Sequence, residues 1–135
     1  MELVWVNGTF DIIHFGHICL LEYASSFGKL KIGIDSDNRV SKLKGSNRPF
    51  NNEKTRKKIL ESLKFVDEVV IFDNENELIN HINFFNPKYI VIGDDYIDKK
   101  IIGSNLVEEV LFFKKVLGLS TTKILNYEIN KNKNI

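Results

Sequence analysis

A chain of 135 residues lies within the usual size of a single domain of about 100 to 150 residues, and 43% hydrophobic with 27% charged side chains is the balance of an ordinary folded protein, not a disordered one. With 19 basic against 18 acidic side chains and a net charge of +1, the chain has no excess of cations with which to neutralise a nucleic-acid backbone, so no nucleic-acid partner is expected. No apolar run approaches the roughly 18 residues of a membrane span, the N-terminus lacks the blocks of a secretory signal, and the single cysteine, Cys19, has no internal partner, which together point to a cytoplasmic protein without a membrane partner.

Short apolar runs rich in β-branched and aromatic residues alternate with longer segments of helical period, the pattern of parallel strands joined by crossover helices. The expected strands are Leu3 to Val6, Leu30 to Ile34, Glu68 to Phe72, Tyr89 to Ile92 and Glu109 to Phe113. A first helix is expected from Phe15 to Phe27, closed by Gly28. A second is expected from Asn52 to Leu63, with Ile59, Leu60 and Leu63 on one face, and a third from Glu75 to Phe84, stopped by Pro87. There is no internal repeat and no Gly-, Pro- or Ser-rich linker, so residues 1–125 read as one α/β domain with a doubly wound sheet of about five parallel strands. The stretch from Asn126 to Ile135, rich in Asn and Lys, reads as a polar tail.

In open parallel sheets ligands bind beyond the carboxyl ends of the strands, near the point where strand order reverses. The segments expected there are Asn7 to His14, Asp35 to Pro49, Gly93 to Gly103 and Leu117 to Thr122. The first runs Asn7-Gly8-Thr9-Phe10-Asp11-Ile12-Ile13-His14-Phe15-Gly16-His17, from a buried strand into the start of a helix. A helix N-terminus carries unpaired N–H groups and partial positive charge, which favours a phosphate, and two histidines three residues apart add directed donors on one face. Gly16 between them allows close approach of a ligand. Alone, either histidine reads equally well as a satisfied core residue.

The string Gly8-Thr9-Phe10-Asp11 followed by His14-Phe15-Gly16-His17 resembles the signature of the cytidylyltransferase-like nucleotidyltransferases. The resemblance continues through Lys42-Leu43-Lys44-Gly45, Arg48-Pro49, Arg56, Val66-Asp67, Gly93-Asp94-Asp95-Tyr96 and Gly118-Leu119-Ser120-Thr121-Thr122, leaving only the tail uncovered. It implies a Rossmann-like fold, Mg²⁺ travelling with a nucleoside triphosphate, a homodimer, and a single displacement in which a phosphorylated small-molecule acceptor takes a nucleoside monophosphate and pyrophosphate leaves.

Such chemistry needs charge stabilisation and positioning rather than a nucleophilic side chain, because negative charge grows on the α-phosphoryl oxygens and on the leaving pyrophosphate. By the resemblance, His14 and His17 hold the triphosphate, with at least one imidazole cationic at the working pH, and Lys44 lies across the phosphates from them. Taken alone, Lys44 reads as an exposed loop lysine. Ser120 and Thr121, after Gly118, combine the capping of a helix with binding of the β- and γ-phosphates. Gly8, Thr9, Phe10, Gly16, Gly93, Asp94 and Lys115 complete the expected nucleotide-binding set. Asp11 either accepts hydrogen bonds from loop amides or orients the acceptor or a metal, while Arg48 and Arg56 are expected to clamp the acceptor's phosphate. Asp94 and Asp95 diverge in direction and form no acid/base dyad; one organises the nucleotide loop and the other faces solvent. No His/Cys cluster offers a zinc site, and no protein-held metal is expected beyond the triphosphate's Mg²⁺.

Two subfamilies are mixed. Lys42-Leu43-Lys44-Gly45, Arg48-Pro49, Asn51 and Ile102-Gly103-Ser104 resemble the heptose 1-phosphate adenylyltransferases of lipopolysaccharide precursor synthesis, which use ATP. Thr9, Gly93-Asp94-Asp95, Leu119 and Val66-Asp67-Glu68-Val69 look like the glycerol 3-phosphate cytidylyltransferases, which use CTP, and the motifs lean toward these. Lys115 stands where the cytidylyltransferase pattern has arginine, which keeps the charge and loses the planar fork. A non-catalytic nucleotide-binding module is the competing class.

Overall fold

Parallel neighbours cannot be joined by tight turns, so every adjacent pair needs a crossover; an α-helix follows each of the first three strands, and two 3₁₀ turns, Asp94–Tyr96 and Ser104–Leu106, follow the fourth. The computed structural model describes residues 2–114. It contains β1 (Leu3–Gly8), β2 (Lys29–Asp35), β3 (Glu68–Phe72), β4 (Tyr89–Gly93) and β5 (Glu109–Phe113), paired in parallel in the order β3-β2-β1-β4-β5. This is the doubly wound, Rossmann-like sheet that the alternation predicts. The expected roles of Lys115, Gly118, Ser120 and Thr121, and the domain boundary after residue 125, lie outside the described residues.

The helices are α1 (Phe15–Ser25), α2 (Asp37–Lys44), α3 (Glu53–Glu61) and α4 (Glu75–Phe85). Side-chain caps start the last three: Ser36 accepts from the Arg39 N–H, Asn52 from Thr55 and Asn74 from Glu77. Asn86, in the left-handed conformation, closes α4 just before Pro87. Two expectations are corrected. The segment from Asp35 to Pro49 is not a loop but carries α2, whose single buried residue, Val40, leaves no apolar stripe to read. On α3 the inward pair is Arg56 and Leu60, one turn apart, while Ile59 remains 38% exposed. Helix α1 also stops two residues short of the expected end.

The sheet is covered on both faces. Val4, Val6, Leu30, Ile32, Ile34, Val69 and Val91 meet Leu21 and Ala24 of α1 and Leu60 of α3. On the other face Trp5, Phe72 and Ile90 meet Leu78 and Ile82 of α4, with Ile101, Ile102 and Leu106 packed against them. Gly33 makes room for the indole: a Cβ there would lie 2.5 Å from a Trp5 ring carbon. No helix among the described residues is long and apolar enough to cross a membrane.

Candidate active site

The strand order reverses at β1, whose outer neighbours are β2 on one side and β4 on the other. The β1–β2 ladder runs to Gly8–Ile34 and the β4–β5 ladder to Gly93–Phe113, whereas the β1–β4 ladder ends at Trp5–Ile90. The carboxyl ends of β1 and β4 therefore face each other across a wedge, at the topological switch point where such sheets take ligands. A cavity of about 540 Å³ opens there, of the size that holds a small molecule. Its walls come from Val6 to Asp11, from His14, Gly16 and His17 at the start of α1, from Asp35, Arg39, Lys44 and Arg48 beside α2, and from Val91 to Gly93, Tyr96 and Lys100 to Ile102 beyond β4.

The turn between β1 and α1 is tight. Phe10 and Ile12 both have positive φ, 52° and 54°, a conformation unfavourable for such side chains that is held where surroundings over-determine it. The turn sends Asp11 inward, 1% exposed, where its two carboxylate oxygens accept the N–H groups of Phe50 at 2.6 Å and Asn51 at 2.9 Å. Of the two roles left open for Asp11, the amide-holding one is thus observed: it ties the segment after α2 to the floor of the cavity.

The histidines build the start of α1 themselves. His14 is the N-cap, its Nδ1 accepting the Gly16 N–H at 3.1 Å, while His17 Nδ1 accepts the His14 N–H at 3.2 Å. The rings stack with centroids 3.8 Å apart, and the Phe10 ring lies 5.4 Å from that of His17. Nδ1 of each ring is thus the nitrogen engaged by a helix-start amide, as suits a ring protonated at Nε2. The two imidazoles satisfy amides of the helix start, with both residues on the wall of the cavity.

The cations sit opposite, at the end of α2 and beyond it. Burial pushes the Lys44 ammonium below the usual lysine value, the Arg48 charge acts in the same direction, and Asp35 and Asp11 oppose them. Lys44 keeps exposed surface, so its desolvation is that of a cavity rim and not of a core. Among the described residues Arg48 Nε is buried without a hydrogen-bond partner, a donor that an anion in the cavity would satisfy.

Arg56 does not reach the cavity, and its expected clamp on an acceptor phosphate is corrected. It is fully buried; its guanidinium donates to the Asn51, Thr9 and Asp35 carbonyls and to the Asp37 carboxylate, at 2.8 to 2.9 Å. It is a bolt that ties the ends of β1 and β2 to α2 and α3. Asp94, half-buried in a 3₁₀ turn (Asp94–Tyr96), is not among the cavity-lining residues either, and Asp95 is exposed. Gly8, Thr9, Phe10, Gly16 and Gly93 do line the cavity, although the Thr9 hydroxyl is directed to Asp35, at 3.2 Å, on the α2 side.

Several cavity residues had no role in the sequence reading. Asn7 accepts the Trp5 indole N–H on its side-chain oxygen at 2.9 Å, which fixes its amide with the NH₂ group as the remaining donor. Asp35 and Arg39 form an ion pair of 2.8 Å on the cavity wall, and Tyr96, Ile101 and Ile102 give the β4 side an apolar lining. The spacing of four between Asp35 and Arg39 was the one available signal, and it is common on exposed helix faces.

Comparison with known proteins agrees with this architecture. The model of the family described as "Cytidylyltransferase-like" matches residues 5–133. The bifunctional protein HldE of Campylobacter fetus is 47% identical over 125 residues, covering 92% of this chain and 27% of that protein. The protein of the same name from Aliarcobacter butzleri is 44% identical over 127 residues, covering 92% and 26%. The chain thus spans about a quarter of the length of these relatives. A lipopolysaccharide core biosynthesis protein from Thermoplasma volcanium superposes with a TM-score of 0.67 at 25% identity, over 84% of this chain and 98% of that one. A pantoate-beta-alanine ligase from Francisella tularensis, with a TM-score of 0.56 at 16% identity over 99% of this chain and 71% of that one, shares the fold. By its sequence match over most of its length, this chain belongs to the cytidylyltransferase-like family of nucleotidyltransferases.

Proposed function

We propose that the cavity transfers AMP from ATP to the phosphate of a sugar 1-phosphate of the heptose type, releasing pyrophosphate. The observation that carries the transfer is the pair of amide-capped imidazoles at the start of α1, facing a wall that bears Lys44 and Arg48. A phosphate oxygen of the acceptor attacks the α-phosphorus in line, forming the new P–O bond as the bond to the β-phosphate bridging oxygen breaks. The imidazole Nε2–H groups stabilise the α-phosphoryl oxygens, and Lys44 neutralises the charge that accumulates on the phosphates.

Mg²⁺ would arrive with the triphosphate and offset the charge of the leaving pyrophosphate. On this reading the ion would be held largely by phosphate oxygens and water, as Mg²⁺ commonly is with nucleotides. Homodimer formation rests on the resemblance alone.

ATP and a heptose-type acceptor are supported by the identity to the HldE proteins together with the motifs around Lys44, Arg48 and Ile102 that resemble heptose 1-phosphate adenylyltransferases. CTP with glycerol 3-phosphate, favoured by motifs alone, becomes the second reading; Thr9 and Gly93-Asp94-Asp95 keep it open. The test is pyrophosphate release with Mg²⁺, pairing ATP, CTP, GTP and UTP with heptose 1-phosphate and with glycerol 3-phosphate. Release that requires ATP and heptose 1-phosphate supports the proposal, and release that requires CTP and glycerol 3-phosphate replaces it with the second reading. A protein that binds nucleotide without release in any pairing is the binding module.

A further inference from the structure

The cavity has two unlike flanks. Beyond β4, Ile92, Tyr96, Ile101 and Ile102 make an apolar slot suited to a flat base. Beside α2 the lining is charged, with Asp35 and Arg39 on the same wall as Lys44 and Arg48. The nucleoside therefore belongs on the β4 flank and the acceptor on the α2 flank.

On that flank a carboxylate stands out, because a cavity built for anions gains nothing from a negative charge in its wall. Asp35 is the last residue of β2, its side chain 13% exposed. Oδ1 accepts from Arg39 Nε at 2.8 Å and Oδ2 from the Thr9 hydroxyl at 3.2 Å. The carbonyl of Asp35 is held by the buried Arg56 at 2.8 Å, and the Arg39 guanidinium rests over the Phe72 ring at 5.4 Å. Asp35 is thus held by three contacts, and Arg39 is itself held over Phe72. Each carboxylate oxygen can accept a second hydrogen bond, and Arg39 has Nη donors beyond the Nε it uses. A phosphate placed against Asp35 would be repelled, whereas hydroxyl groups can donate to it and accept from Arg39.

We propose that Asp35, positioned by Arg39 and Thr9, recognises hydroxyl groups of the acceptor, while Lys44 and Arg48 take its phosphate. The acceptor class this selects is a polyhydroxylated phosphate ester. The proposal rests on the nucleotidyl-transfer reading for its assignment of the acceptor to this flank. If Asp35 served only to neutralise Arg39, its replacement would alter binding of all phosphorylated compounds alike.

The two roles separate in calorimetric titrations of the full chain saturated with α,β-methylene ATP, whose P–C–P bridge prevents transfer. The titrants are heptose 1-phosphate and inorganic phosphate. The wild-type chain is expected to bind the sugar phosphate at least about tenfold more tightly, as one or two hydrogen bonds to a charged group would give. Asp35→Asn should bring the two within about threefold of each other, with inorganic phosphate bound as well as before or better, since a negative charge near Lys44 and Arg48 is gone. Arg39→Gln, which leaves the carboxylate in place, should reduce the preference less. Equal binding of both titrants by the wild-type chain, or binding of neither, overturns the proposal, as does an Asp35→Asn chain that keeps the preference. If the preference collapses in Asp35→Asn yet no pyrophosphate is released with any triphosphate, the acceptor site stands and the transfer reading falls. Transfer with an unchanged preference in Asp35→Asn has the opposite meaning.

Discussion

Replacing His17 by asparagine separates the two tasks that its ring performs. The Nδ1 atom accepts the His14 N–H and so helps start α1, whereas Nε2 is the atom that the proposed transfer sets against a phosphoryl oxygen. Asparagine places an oxygen near the Nδ1 position and nothing at Nε2, so the cap survives and the donor is lost. Alanine loses both. An N-cap interaction is worth about 1 kcal/mol, so His17→Ala should unfold roughly 3 to 6 °C lower than wild type, while His17→Asn should stay within about 2 °C. Loss of one preorganised donor to a transition-state oxyanion costs about 2.7 to 4 kcal/mol, so both variants should fall about 10² to 10³ in kcat. Thermal unfolding and pyrophosphate release, run on the same preparations, give the two numbers. A His17→Asn chain that melts like wild type and turns over within a few-fold of it would refute the reasoning, because the donor would then be dispensable.

Lys44 predicts a pH dependence. Its free-state value lies below that of an ordinary lysine because of burial and Arg48, and a bound triphosphate, favouring the ammonium, raises it again. Binding therefore takes up a proton, and affinity declines as pH rises through the lowered free-state value. Nucleotide titrations from about pH 7 to about pH 10 should show this decline, and Lys44→Arg, which stays charged, should flatten it. Arg56→Ala strands the Asp37 carboxylate and three carbonyls that the guanidinium now satisfies, and should cost about 3 to 5 kcal/mol in urea unfolding. If Arg56 instead served the acceptor, the loss would appear in KM with stability intact. Gly33→Ala puts a Cβ 2.5 Å from the Trp5 ring and should destabilise by about 1 to 3 kcal/mol with a shift in the emission of the single tryptophan. Wild-type stability and emission would mean that the indole has room to move.

The strands were legible because each is a short β-branched run covered on both faces, and all five fall where expected apart from one or two residues at their ends. Helix α2 was not, because it is held by a Ser36 cap and by polar contacts, with Val40 its lone core residue. The histidine string marked the start of α1 at the cavity, yet the sequence carries no mark of which ring nitrogen meets an amide; the structure engages Nδ1 of both rings. Arg56 shows the same limit: an arginine on a charged helix reads as solvent-facing or ligand-facing, and only the tertiary fold brings three carbonyls and Asp37 around it. The Asp35–Arg39 pair was hidden for a related reason, since a spacing of four on a polar segment is ordinary until β2 delivers it to a cavity wall.

On the proposed reading this site joins the acceptor's phosphate to the α-phosphorus of a nucleotide. The direct measurement is ³¹P NMR of the reaction of ATP, Mg²⁺ and heptose 1-phosphate with the purified chain. A pair of coupled resonances from a new pyrophosphate diester is expected, growing in step with free pyrophosphate. Formation of ADP with a doubly phosphorylated sugar would place the attack at the γ-phosphorus and contradict it.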